Sequence, residues 1–249
     1  TMPSTTPVAL VTGAAHRLGA QTARTLHERG WNLVIHYRSR EEQARSLIEQ
    51  LNRQRPDSAC ALQADLSRAA GVKRLAGDAI AHWGRLDALV NNASVFYPTP
   101  TADTSEDDWD TILNTNLRAP FFLLQGCLAE LRRNRGSVVN LIDIYSERPI
   151  DDHPLYCASK AGLAALTRSW AKDLAPDVRV NGVSPGAILW PEGEAEMDVT
   201  AQQAILQKTP LARTGNPDDI AHTIAFLVCD APFITGQVIA VDGGRSLNM

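Results

Sequence analysis

Short apolar runs alternate along the chain with longer stretches in which apolar positions recur at helical spacing. The runs at 8–11, 33–37, 60–63, 88–91, 137–142, 178–183 and 238–241 predict strands. The stretches near 18–29, 40–54, 68–83, 106–133, 155–175 and 217–229 predict helices. Regular strand–helix alternation implies an α/β fold in which crossover helices cover both faces of a parallel sheet. The expected architecture is a Rossmann-like, doubly wound parallel sheet in three layers. It would form one domain over residues 8–249 behind a flexible tail, residues 1–7. Ligands of such folds bind beyond the carboxyl ends of the strands. Two helix starts carry local signals. Ser39 with Glu42 has the pattern of a capping box, and Asn216 before Pro217 pairs an N-cap with a proline suited to the first turn.

Composition narrows the class of partner. A chain of 249 residues with net charge −4 is a poor match for nucleic acid or an anionic membrane surface. No apolar run approaches the roughly 20 residues of a membrane span, and no signal peptide opens the sequence. Cys60, Cys127, Cys157 and Cys229 are scattered without a CxxC pair, which suits free thiols in a reducing cytoplasm and predicts no metal site.

The first strand runs into "VTGAAHRLGA", a strand–turn–helix junction with Gly13 and Gly19. Gly13 can make a tight turn, Gly19 can let helix and strand approach, and the helix start offers N–H groups to a pyrophosphate. Leu18 belongs to the same junction, and Arg17 stands where a third glycine would be expected. The second strand ends in "HYRSR", where Arg38 and Ser39, after Tyr37 at the cofactor site, stand in place of the acid that usually binds the ribose hydroxyls. A guanidinium and a hydroxyl suit a 2′-phosphate, so the expected cofactor is NADP(H). Alternatively, Arg38 is a solvated loop charge and Ser39 only an N-cap. "ALQADLS" closes the third strand with Asp65, within reach of an adenine amino group, beside Leu66. "VNNAS" closes the fourth with Asn92, Ala93 and Ser94, whose asparagines can also be read as turn residues.

"YCASK" sets Tyr156 and Lys160 four apart on one helical face, where the ammonium is expected to lower the phenol's pKa and make it a usable acid. The ordered series TGxxxxxG, NNA, "NTN", YxxxK, "SPG" and terminal "VDGG" resembles the short-chain dehydrogenase/reductase family over nearly the whole length. That resemblance implies nicotinamide-dependent reduction and a homotetramer. It makes Tyr156 the acid/base, with Lys160 on the ribose and tuning the tyrosine. Asn116 of "NTN" would hold a relay water, and Pro185 and Gly186 would flank the nicotinamide. The alternative for Asn116 is a polar residue that only bends a helix.

The family's catalytic serine lies 13 residues before the tyrosine; here that position is Asp143, in "LIDIY". A carboxylate repels a developing oxyanion but favours protonation of a reduced C=N nitrogen. Asp143 therefore points to an imine-containing heterocycle, unless it merely caps a loop. Beyond the fourth strand, Phe96 could sandwich a flat ring, or could be ordinary packing. TGxxxRxG, the arginine–serine pair, NNAS with a following phenylalanine, and the aspartate together resemble the pteridine reductase branch, which includes bacterial dihydromonapterin reductases. That likeness implies that Arg17 contacts both cofactor phosphate and pterin, Phe96 stacks on the ring, and Ser94 hydrogen-bonds it. The implied substrate is a pterin or folate. Residues 187–210 would form a lid with Leu189 and Trp190 on its wall, although Trp190 could be a packing anchor. The alternatives are a general carbonyl or 3-oxoacyl-thioester reductase, and an NADPH-sensing module without chemistry.

Overall fold

The computed structural model describes residues 5–190 and 197–249. Residues 1–4 of the expected tail and 191–196 of the expected lid lie outside the described residues. Among these, seven strands form one sheet: β1 (Val8–Val11), β2 (Asn32–Tyr37), β3 (Ala59–Gln63), β4 (Ala88–Asn91), β5 (Ser137–Leu141), β6 (Arg179–Pro185) and β7 (Val238–Val241). The order is β3-β2-β1-β4-β5-β6-β7, and every neighbouring pair is parallel. The winding reverses between β1 and β4, which opens a crevice at their carboxyl ends.

Alternation along β1 separates the two cores. Val8 and Leu10 pack with α3 (Ala69–Trp83), α5 (Ala119–Arg133) and α6 (Pro154–Leu174) on one face. Ala9 and Val11 face α1 (Arg17–Glu28), α2 (Glu41–Gln54) and α8 (Pro217–Ala225) on the other. All four β1 residues are fully buried, so the strand leading into the glycine turn is fixed from both sides. Truncating Leu10 to alanine would cost about 2–5 kcal/mol.

Several local expectations change. The stretch 106–133 is not one regular helix: α4 (Glu106–Leu113) passes through a π-helical turn, Asn114–Arg118, before α5 begins. A second π turn, Phe226–Asp230, extends α8. The Ser39–Glu42 capping box does not form, because the N-cap of α2 is Arg40, one residue later than that box requires. Asn216 does cap α8: its side chain accepts from the Asp218 amide at 3.1 Å, and the Asp219 carboxylate accepts from the Asn216 amide at 2.8 Å. The segment expected to form a lid contains a helix without a periodic sequence signal, α7 (Val199–Gln207), started by Asp198, which accepts from the Ala201 amide. Pro7, the last residue of the expected tail, is tied to the sheet through its carbonyl, which accepts from the Asn32 amide at 2.8 Å. No helix among the described residues is long and apolar enough to cross a membrane.

Candidate active site

Beyond β1 the chain turns at Gly13, with φ +62°. A Cβ at Gly19 would lie 2.5 Å from both the Asn92 Nδ2 and the Gly13 carbonyl, so α1 can approach the turn only because residue 19 has none. Arg17 adopts φ +51°, the left-handed conformation that glycine takes freely. For an L-residue this costs about 1–2 kcal/mol. The missing glycine's backbone geometry is thus retained, and a side chain has been added to it. Arg17 Nη2 donates to the Trp190 carbonyl at 2.9 Å, joining the turn to the segment after β6.

A cleft of about 380 Å³ opens beside the turn. All the residues expected to bind cofactor line it, from Gly13 and Arg17 through Arg38, Ser39, Asp65 and Ser94, except Lys160, Pro185 and Gly186. These three line an adjoining cavity of about 490 Å³, together with Phe96, Asp143, Tyr156, Leu189 and Trp190. Arg17, Leu18, Arg40, Asn92 and Ser94 border both spaces, so the two form one continuous site. The cleft fits a dinucleotide: the glycine turn and the start of α1 line it with N–H groups for phosphate, and Arg38, Ser39 and Arg40, just after β2, line it with two cations and a hydroxyl.

Several residues expected to contact a ligand also have structural partners within the chain. The Asn92 amide donates to the carbonyls of Thr12 and Gly13 at 2.8 and 3.1 Å, bracing the turn. Asp65 Oδ1 accepts from the Ser67 amide and hydroxyl at 3.0 and 2.7 Å, and these bonds hold its carboxyl below the ordinary range. Gly186 is required by the residue that follows β7: a Cβ there would meet the Asp242 Cα at 2.7 Å. His36 and Arg40 were missed by sequence reasoning. Arg40 follows the recognised Arg38-Ser39 pair, whereas His36 carries no signal beyond being a polar residue in an apolar strand.

The residues expected to carry the chemistry lie at the end of β5 and the start of α6. Tyr156 Oη donates to Asp143 Oδ2 at 2.8 Å, while Asp143 Oδ1 accepts from the Tyr145 amide at 2.9 Å. Asp143 therefore caps its loop and engages the tyrosine with its two oxygens. Burial pushes the Asp143 carboxyl above its ordinary range. Lys160 is 2% exposed; its Nζ donates to the Leu141 carbonyl at 2.8 Å, and burial pushes it down to about 8. The expected lowering of the Tyr156 pKa is not what the site produces. Burial, reinforced by the Asp143 charge and hydrogen bond, raises the phenol well above 10. Tyr156 is held protonated, donating its hydrogen bond to Asp143.

Asn116 sits in the π turn, where both ends of its amide are occupied. Its Oδ1 accepts from the Val95 amide at 2.8 Å and the Ser94 hydroxyl at 3.3 Å, and its Nδ2 donates to the Val95 carbonyl and Ser159 Oγ. The side chain thereby holds the 93–96 loop. Phe96 stacks on His153, with ring centroids 4.5 Å apart and planes 11° apart, and meets Tyr156 edge-on at 4.7 Å. Among the described residues no group of three His, Cys, Asp or Glu could hold a metal ion.

The profile of a family described as enoyl-(acyl carrier protein) reductase matches residues 13–246. The chain is similar to pteridine reductase 1 of Leishmania tarentolae, with 36% identity covering 99% of each chain. It is equally similar to a 3-oxoacyl-(acyl-carrier-protein) reductase of Staphylococcus aureus, with 37% identity covering 96% of this chain and 98% of the relative. Among solved structures, a blue fluorescent protein from a metagenomic library, in complex with NADPH, superposes with a TM-score of 0.89 at 33% identity, covering 96% of this chain and 97% of that one. The chain belongs to the short-chain dehydrogenase/reductase family of nicotinamide-dependent oxidoreductases.

Proposed function

We propose that the protein is an NADPH-dependent pteridine reductase that converts a dihydropterin to its tetrahydro form. The cofactor is NADP(H), in keeping with Arg38, Ser39 and Arg40 on the rim of the cleft and with the NADPH complex of the structural relative. Bound NADPH supplies the hydride. The chain's own residues supply orientation and a proton. Phe96 offers an apolar wall to a flat ring, Ser94 a hydroxyl, and Arg17 a guanidinium from the cofactor side. Reduction of a C=N bond adds hydride to carbon and a proton to nitrogen, and the Tyr156–Asp143 pair provides that proton.

The observation that carries this reading is the 2.8 Å contact between the Tyr156 hydroxyl and a carboxylate where the family has a serine. A carboxylate beside the acid disfavours an oxyanion and favours a nitrogen gaining positive character. Similarity to the Leishmania enzyme supports the same substrate class. A second reading, reduction of a ketone or 3-oxoacyl thioester, is favoured by the equal similarity to the staphylococcal reductase. Incubation with NADPH and a 7,8-dihydropterin, followed by chromatography of the products, tests the proposal. A tetrahydropterin formed in step with NADPH consumption is expected; an unchanged dihydropterin, with a ketone reduced under the same conditions, would replace it with the second reading.

A further inference from the structure

We propose that His36 is a positioning residue for the cofactor, which presets the glycine turn from the neighbouring strand so that its later donors face the pyrophosphate. His36 is the penultimate residue of β2 and is 2% exposed. Its ring lies between two main-chain groups at the crevice: the Gly13 amide donates to Nδ1 at 3.0 Å, and Nε2 lies 3.0 Å from the Ala64 carbonyl. These partners leave no freedom of tautomer. A carbonyl can only accept, so Nε2 carries the proton; an amide N–H can only donate, so Nδ1 offers its lone pair. Burial holds the ring neutral, with its pKa lowered to about 4, as both bonds require.

The main chain of the same residue completes the grip, because the His36 carbonyl accepts from the Ala14 amide at 2.9 Å. One strand residue thus holds two successive N–H groups of the turn. The Thr12 amide is likewise committed, to the Val90 carbonyl at 3.0 Å. Donors at residues 12–14 are spent on the scaffold, and an anion must be met further along, where the first turn of α1 lacks intrahelical acceptors for its N–H groups. Asn92 braces the carbonyl side of the turn and His36 the amide side.

Three substitutions separate the bonds. His36→Asn keeps an acceptor near the Nδ1 position but loses the reach to Ala64. His36→Gln keeps a donor near the Nε2 position but loses the acceptor for Gly13. His36→Phe keeps the ring and loses both. The readouts are NADPH affinity by calorimetry and the thermal midpoint of the cofactor-free protein. Leaving the Gly13 amide without an acceptor should weaken NADPH binding by about fivefold to a hundredfold. His36→Gln and His36→Phe are expected to show this loss, while His36→Asn binds within about threefold of the parent and loses only thermal stability. If His36→Phe does not fold, the Asn–Gln contrast decides alone. Equal affinities in the asparagine and glutamine variants, whether both intact or both weakened, would overturn the proposal.

Discussion

Replacing Asp143 with serine should reverse the protein's substrate preference. A ketone oxygen accepting from the Tyr156 hydroxyl would lie about 4 Å from the Asp143 oxygen that accepts at 2.8 Å in the present structure. As that oxygen becomes an oxyanion, two unit charges about 4 Å apart at an effective dielectric of 20 repel by about 4 kcal/mol. At 1.36 kcal/mol per tenfold in rate, the carboxylate slows ketone reduction by about a thousandfold. That figure is an upper bound, because burial raises the Asp143 pKa and the protonated fraction does not repel. Serine removes the charge and returns a donor. Initial rates of NADPH oxidation, measured for the parent and Asp143→Ser with a dihydropterin and with a 3-oxoacyl thioester, check both halves. Ketone kcat/KM should rise by about ten- to a thousandfold, pterin kcat/KM should fall at least about tenfold, and the NADPH Kd should stay unchanged. Unchanged rates on both substrates would refute the electrostatic reasoning.

Arg17→Gly relieves a left-handed arginine worth about 1–2 kcal/mol but loses the Trp190 bond, worth about 1 kcal/mol. The thermal midpoint should therefore stay within about 4 °C of the parent, while the pterin KM rises at least about tenfold; a large loss of stability would contradict the account of the turn. Arg38→Ala should weaken NADPH by about tenfold or more and leave NADH affinity nearly unchanged, which calorimetry with the two cofactors would measure. His36 titrates near 6.5 when unfolded and about 4 when folded. Between those values the unfolded chain binds more protons, so stability is full above pH about 6.5 and falls by up to about 3 kcal/mol as the pH drops towards 4. Denaturant unfolding across that range should show the loss, and His36→Phe should abolish His36's share of it.

The fold was legible because a parallel sheet buried on both faces writes its strands as short apolar runs, and β1, β4 and β7 fall on the predicted boundaries. What escaped were features fixed by tertiary geometry. The π turn at Asn114–Arg118 leaves the helical spacing almost unchanged, so residues 106–133 read as one helix. The Ser39 capping pattern lost to a chain path that starts α2 one residue later. The residues around the site were visible through glycines, a cationic pair and the Tyr156–Lys160 spacing, and they do line one cleft. Their electrostatics were not visible. Spacing located Asp143, but the sign of the Tyr156 shift depends on burial and on the hydrogen bond between the two side chains, and spacing shows neither. His36 was invisible because its function lies in bonds to Gly13 and Ala64, two segments brought together only by the sheet.

On the function proposed here, Asp143 makes this family member a reductase of a C=N bond. The measurement that tests it most directly is kcat/KM with NADPH for a dihydropterin and for a 3-oxoacyl thioester, determined side by side on the parent protein. The pterin should be preferred by at least about a hundredfold, since repulsion of about 4 kcal/mol between Asp143 and an oxyanion allows about a thousandfold. A thioester turned over as fast as the pterin, or faster, would contradict it.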